Sequence, residues 1–281
     1  MSEFISKEYQ ELFYNSTKGQ ESYLAQLPFP NASFENFFEP TMLDEVLAEF
    51  PDLEKEQAIK FDDSIQKKFA GKGEDSFGPK TRQFMHFLNS ERFLSFLQGL
   101  TGIEEVLMPD PYFIGGGLHE IKKGGLLKIH ADFKKNEKFG LDRRINALVY
   151  LNKDWKEEYG GHFELWDQKI EKCERKILPK FNTLAIFSTT DYSFHGHPNP
   201  LTCPEDRSRK SLALYYYSNG RPSSEINPEK GEHETLFVPR AGDNEDKAAF
   251  NTKPPMTTRE IIKEFIPPIV LRGLRMLRGS K

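Results

Sequence analysis

The sequence predicts a mainly β protein with supporting α-helices, a sandwich or barrel with the helices packed on one side. Three observations carry that reading. Apolar residues at helical spacing occur ahead of residue 104, at Leu43, Val46, Leu47 and Phe50 and again at Phe93, Phe96, Leu97 and Leu100. From about residue 104 the texture changes to short β-prone runs at 118–121, 125–133, 145–151, 162–166, 183–188 and 211–217. Gly, Pro, Asn and charged turn clusters separate those runs, as they punctuate strands in sandwiches and barrels.

Taken in order, residues 1–35 read as an irregular arm, because Pro28-Phe29-Pro30 forces extended backbone and stops any helix. Thr41 can cap a helix that runs through Phe50 and ends at Pro51. Residues 71–80 are polar and Gly-rich and read as a loop. A second helix starts near Ser90 and stops at Gly102. Ala147-Leu148-Val149-Tyr150-Leu151 and Leu212-Ala213-Leu214-Tyr215-Tyr216-Tyr217 are strand-like by composition and length. After Gly220 the chain turns loop-like until Ile261. The last segment mixes Ile, Val and Leu with Arg and Lys, and Pro267-Pro268 breaks it into two short amphipathic pieces. The expected organisation is a helical supporting region over 1–103, a β core over 104–220 and a C-terminal extension over 221–281.

The chain is 281 residues long, with 39 Lys and Arg against 43 Asp and Glu, a formal charge of -4. So mild an acidity gives no global electrostatic reason to expect nucleic acid as a partner. Aromatics at 13%, with 24 Phe, indicate a packed globular protein. Cys173 and Cys203 are too few for a disulfide framework, which points to a reducing, cytoplasmic setting. The N-terminal residues are too polar for a secretory signal, and no apolar run approaches bilayer-spanning length.

The chemistry enters at His130-Ala131-Asp132. On a strand, residues two apart project to one face, so an imidazole and a carboxylate there can grip one metal ion. Phe194-His195-Gly196-His197-Pro198 offers a further imidazole from a neighbouring strand, through His195 or His197. Two His and one carboxylate leave adjacent positions open on iron, which redox oxygenases need. Further on, Arg209 and Ser211 share a strand face, and a guanidinium there can hold a carboxylate in bidentate fashion. Arg207 competes for that role but sits in the polar loop after Pro204-Glu205-Asp206.

In this order the motifs resemble the Fe(II)- and 2-oxoglutarate-dependent dioxygenases, within them the prolyl-4-hydroxylase-like branch. The match runs from about Leu118 to Ser218. It includes Gly124-Gly125 before His130-Ala131-Asp132, then Tyr150-Leu151-Asn152-Lys153-Asp154-Trp155, Gly160-Gly161, Pro179-Lys180-Phe181-Asn182, His195 and Arg209-Lys210-Ser211. The Tyr-Leu-Asn-Lys-Asp-Trp run is very similar to the oxygen-sensing prolyl hydroxylases of animals. The resemblance implies a double-stranded β-helix (jelly-roll) core. It implies Fe(II) on His130, Asp132 and His195, since the small residue after His195 and the turn beyond fit the family's distal ligand better than His197. It implies 2-oxoglutarate held through its distal carboxylate by Arg209, helped by Tyr150 and Ser211, with dioxygen as co-reactant and ascorbate as accessory reductant.

Two substrate classes compete inside that resemblance: a prolyl residue of a protein or peptide, and a small molecule such as a free amino acid, sugar or biosynthetic intermediate. A non-catalytic metal-binding or sensing jelly-roll module is the alternative of another class. Asp132 argues against halogenation, because related halogenases keep a small residue there to admit chloride. This chain departs from its closest relatives in two places. The stretch Asn199–Pro204 lengthens the spacing from His195 to Arg209, and Glu120 with His119 stands where those relatives place a cosubstrate-facing Tyr. His119 and His162 read as structural or pocket-lining, and Gly115-Gly116-Gly117 as a tight turn with no phosphate-loop Lys-Ser/Thr after it. The C-terminal amphipathic segment fits packing on the barrel or a partner subunit, or a peripheral membrane contact through its Arg face.

Overall fold

The computed structural model describes residues 3–56, 58–136, 138–229 and 234–251. Short helices α1 (Gln10–Tyr14) and α2 (Gln20–Leu24) lead into strand β1 (Asn31–Glu35). Helix α3 (Pro40–Ala48) follows, then a hairpin of β2 (Ile59–Asp62) and β3 (Lys67–Ala70), then α4 (Pro79–Leu88) and α5 (Glu91–Thr101). The β region opens with β4 (Gly117–Lys122), β5 (Leu127–Ala131), β6 (Lys135–Asn136) and β7 (Leu141–Tyr150). It continues through β8 (Phe163–Trp166), β9 (Cys173–Ile177), β10 (Thr183–Ser188), β11 (His195–His197), β12 (Ser208–Ser218) and β13 (Leu236–Phe237), and α6 (Asn244–Asn251) comes last.

These strands form two antiparallel sheets, the jelly-roll arrangement expected from the sequence. The larger has the order β1-β10-β7-β12-β4-β3-β2 with β6 on β7, and the smaller β13-β5-β11-β8-β9. Strand alternation sorts side chains between two cores. Ile145, Ala147 and Val149 of β7, Leu184 and Ile186 of β10, and Leu212, Leu214 and Tyr216 of β12 face the helices. There they meet Phe84, Phe93 and Phe96, each at most 1% exposed and worth roughly 1.5–3 kcal/mol of burial. Their neighbours in sequence turn the other way, toward the smaller sheet. Tyr150, Ala185 and Phe187 pack there on Phe163, Leu165 and Ile177. The same alternation delivers Asn146, Arg209 and Ser211 to the space between the sheets.

The six expected strand runs coincide with β4, β5, β7, β8, β10 and β12. Ser90–Gly102 holds α5, closed by Gly102 in the left-handed conformation at φ +69, whereas α3 starts at Pro40 and ends at Ala48, so Thr41 lies inside the helix and Glu39 takes the cap position expected for it. Other expectations need correction. Residues 1–35 are not an irregular arm: β1 pairs with β10 directly after the Pro-Phe-Pro bend, so the arm supplies an edge of the larger sheet. The loop expected over 71–80 ends early, because Pro79 takes the first turn of α4, where its missing N–H costs nothing. The β2–β3 hairpin lies outside the expected strands, since half of its strand residues are charged and it is half-exposed. Cys173 and Cys203 are both unpaired. Among the described residues no helix is long and apolar enough to cross a membrane. The amphipathic segment beyond Ile261 lies outside the described residues.

Candidate active site

His130 near the end of β5 and His195 at the start of β11 are cross-strand partners, with ring centroids 4.4 Å apart. Asp132 follows β5 and closes the set: its Oδ1 lies 3.7 Å from His130 Nε2 and its Oδ2 3.5 Å from His195 Nε2. One ligand atom from each of the three residues falls within 4.8 Å of the others. Gly196 makes this approach possible. A Cβ at that position would meet the Leu127 and Lys128 carbonyl oxygens at 2.8 and 2.9 Å, so only glycine lets β11 lie so close to β5.

The donor set fits a divalent metal ion. His130 Nδ1 lies 2.8 Å from the Lys128 carbonyl and His195 Nδ1 2.9 Å from the Ser193 carbonyl. A carbonyl can only accept, so each Nδ1 carries the proton and each Nε2 presents its lone pair. Burial, and after it the neighbouring His195, push His130 down to about 3, and burial lowers His195 as well. Both imidazoles are therefore neutral, as metal ligation requires. For Asp132 burial works against the charge, but the Arg143 guanidinium, with the hydrogen bond from Asn146, outweighs it and holds the carboxyl well below its usual range. Asn146 Nδ2 donates to Oδ2 at 2.7 Å and Arg143 Nη2 lies 3.1 Å from it, which leaves Oδ1 free of those partners.

These residues line a cleft of ≈1420 Å³ between the sheets. Arg209 lies on its wall, buried, with Nε donating to the Gly161 carbonyl at 2.8 Å and Nη2 to the Tyr150 hydroxyl at 3.2 Å. Among the described residues no carboxylate lies within ion-pair distance of it. Gly161 is held at φ +70, and a Cβ there would meet Arg209 Cδ at 3.0 Å and Leu201 Cδ2 at 2.5 Å, so this glycine fixes the guanidinium's seat. Tyr150 does not itself reach the cleft; it packs between the sheets and grips Arg209 from behind. Ser211 lines the cleft beside the guanidinium. Arg207 does not: its Nη1 donates to the Lys153 carbonyl at 2.8 Å.

His197 also lines the cleft, yet both its ring nitrogens are buried without a hydrogen-bond partner. Burial, and then Arg209, push it well below its ordinary pKa, so it is a neutral imidazole with unmet bonding capacity. His119 faces the cleft with Nε2 3.1 Å from the Gly115 carbonyl, whereas Glu120 points the other way and accepts from Ser208 at 2.6 Å. His162 pairs with Glu157 at 2.6 Å, away from the cleft. The longer stretch 199–204 is structural: Leu201 and Cys203 pack on Ile121 and Trp155.

Sequence reasoning missed Arg143, Asn146 and Lys68. Asn146 could have been found, because it lies four residues before Tyr150 on the same face of β7. Arg143 could not. The pairing of β7 with β12 slips by one residue around Arg144, so strict alternation from Tyr150 selects Arg144 for the site face and the bulge delivers Arg143 instead. Arg144 turns away to Glu105 and Ser218.

Fold and site together define a jelly roll with a candidate two-histidine, one-carboxylate metal centre in the cleft between its sheets. Residues 116–217 match the model of the 2OG-Fe(II) oxygenase superfamily. Superfamily members use Fe(II) and 2-oxoglutarate. Similar solved structures include prolyl hydroxylases. That of Trichoplax adhaerens, in complex with a hypoxia inducible factor oxygen degradation domain peptide fragment, is 18% identical over 76% of this chain and 94% of that one, with a TM-score of 0.56. A prolyl 4-hydroxylase from Phytophthora capsici is 16% identical over 92% of this chain and 74% of its own, with a TM-score of 0.54. The prolyl-4-hydroxylase of Pseudomonas putida is 15% identical over 73% and 99%, with a TM-score of 0.50. Identities this low speak for the shared fold.

Proposed function

We propose that this chain is an Fe(II)- and 2-oxoglutarate-dependent dioxygenase that hydroxylates an unactivated C–H bond, with a prolyl residue of a protein or peptide as its substrate. The observation that carries the reading is Arg209. A buried guanidinium without a carboxylate partner is costly, and a dicarboxylate cosubstrate supplies the missing partner. The orphaned nitrogens of His197 in the same cleft favour the same occupant.

In this reading His130, Asp132 and His195 hold the metal through Nε2, a carboxylate oxygen and Nε2. Arg209, with Ser211 beside it, binds the distal carboxylate of 2-oxoglutarate, and Tyr150 and Gly161 fix the guanidinium's direction. Arg143 and Asn146 hold Asp132 ionised and oriented. The apolar walls at Leu148 and Phe163 keep bulk water from the reacting centre. Bound iron with 2-oxoglutarate and dioxygen supplies the oxidising power, converting the cosubstrate to succinate and carbon dioxide as the substrate is hydroxylated. A cleft of ≈1420 Å³ exceeds the ~300–1,000 Å³ usual for small-molecule pockets, which favours a peptide over a free amino acid or sugar. Ascorbate as accessory reductant and a cytoplasmic location belong to the same proposal.

The test is succinate formation by the Fe(II)-loaded protein with prolyl peptides, free amino acids and sugars as substrates. Stimulation by peptides alone supports the reading. Stimulation by a small molecule alone leaves the dioxygenase and replaces its substrate. No 2-oxoglutarate turnover with any of them, and no binding of it, overturns both.

A further inference from the structure

The cleft is much more basic than the chain. The whole sequence carries a formal charge of -4, yet among the described residues lining the cleft seven are Lys or Arg and two are Asp or Glu. Asp132 is engaged by Arg143, and Lys134 is paired with Asp191 at 2.6 Å. The excess of cation is therefore local to this surface and does not follow from composition.

Lys68 is its clearest member. It lies on β3, and residues on both arms of the β2–β3 hairpin contribute to the cleft wall. Its Nζ lies 5.1 Å from the Phe61 ring centroid, and among the described residues it has no carboxylate at ion-pair distance. Burial pushes its ammonium down to about 8; Asp132 partly offsets this, while Arg143 and Arg209 add to it. Lys138 lines the cleft too, with its Nζ 3.3 Å from the Tyr112 ring centroid and no acidic partner among the described residues. Arg209 already has an occupant in the reading above. Lys68 has none. A half-buried ammonium set over an aromatic ring without a counter-ion is unfavourable unless a ligand provides one.

We propose that the substrate carries an anionic group, a carboxylate or a phosphate, that Lys68 binds in the cleft near the reacting C–H bond. This rests on the dioxygenase reading and narrows its substrate class. Lys68 is here a specificity residue: it selects what enters and takes no part in the metal set.

The experiment is isothermal titration of the anaerobic Fe(II)- and 2-oxoglutarate-loaded protein with two matched pairs of probes. One pair is a Glu-Pro-Glu peptide and its Gln-Pro-Gln twin; the other is glucose 6-phosphate and glucose. In at least one pair the anionic member should bind about tenfold more tightly, the scale of one charge-assisted hydrogen bond. Lys68→Gln should remove that preference and Lys68→Arg should restore most of it, with Lys68→Met replacing the Gln variant if that one fails to fold. A preference in the peptide pair assigns the anion to a peptide side chain. One confined to the sugar pair keeps the anion site and removes the prolyl reading. Equal binding within both pairs, or a preference that survives Lys68→Gln, overturns the proposal. So does a Lys68→Gln defect confined to 2-oxoglutarate affinity. The dioxygenase reading fails separately, if 2-oxoglutarate does not bind in an Arg209-dependent way.

Discussion

His130 and His195 stand opposite each other across the β5–β11 pair, and Gly196 is what lets those strands come close enough for both rings to address one point. Two imidazoles with their Nδ1 protons committed to carbonyls, and a carboxylate held ionised by Arg143, form a site prepared before any metal arrives. Ligand identity should therefore decide iron binding sharply. His130→Ala, Asp132→Ala and His195→Ala should each abolish Fe(II) binding and succinate formation, whereas His197→Ala should retain iron. Iron titration of the four folded variants checks this, and full binding by any of the first three removes the assignment.

Gly196→Ala tests the scaffold under the ligands. Its new Cβ would press on two backbone oxygens that cannot rotate away, so the strands must separate. Overpacking of this kind costs about 1–3 kcal/mol. Thermal unfolding should show that loss, and Fe(II) affinity should fall with it because His195 rides on the displaced strand.

Arg209→Ala should raise the half-saturating 2-oxoglutarate concentration by roughly 30-fold to several thousand-fold, since truncating one side of a buried charge pair costs about 2–5 kcal/mol. Arg207→Ala should leave it unchanged, because that guanidinium serves the Lys153 carbonyl. Tyr150→Phe should have a smaller effect in the same direction, through a less firmly held Arg209. Cosubstrate titrations of the three variants separate these roles, and an Arg207 effect exceeding that of Arg209 would exchange their assignments.

Arg143 acts on the metal only through Asp132. Arg143→Met should weaken iron binding by about 10–100-fold, the usual range for losing a group that orients a ligand, while the three ligands remain. The variant also removes the cation stacked 3.4 Å from the Tyr215 ring centroid. Tyr215→Leu, which removes the ring and leaves the guanidinium on Asp132, should leave iron affinity intact and so separates the two contacts.

The cluster of His130, Asp132 and His195 and the cleft position of Arg209 were legible because their signal is local. His130 and Asp132 two apart on a strand, and Arg209 on the face that also carries Ser211, need only the period of a β-strand. Arg143 was hidden by a bulge that shifts this period by one residue. Lys68 was hidden for a different reason. Two of the four residues of its strand are Lys and the strand is half-exposed, so no apolar alternation marks it, and only pairing with β4 brings it beside the cleft. The register of β1 against β10 and the role of Tyr150 as a support behind Arg209 are likewise long-range facts. No window of sequence contains them.

Asp246 gives the fold an acid-sensitive joint. It lies on α6, fully buried, where it accepts from Lys128 of β5 at 2.6 Å and from Arg240 at 2.8 and 3.0 Å. Burial opposes its charge, but the bonds from Arg240 and Lys128 outweigh this and hold the carboxyl down at about 2. A folded pKa below the unfolded value of about 3.9 means the unfolded chain takes up the proton first. The stabilisation is therefore complete above about pH 4 and is lost as pH falls toward 2. Asp246→Asn should lower the melting temperature at neutral pH, leaving Lys128 buried beside a neutral amide, and should flatten the dependence on pH between about 4 and 2. Melting curves of both proteins across that range check this. An unchanged acid slope in the variant would mean that other carboxylates carry it.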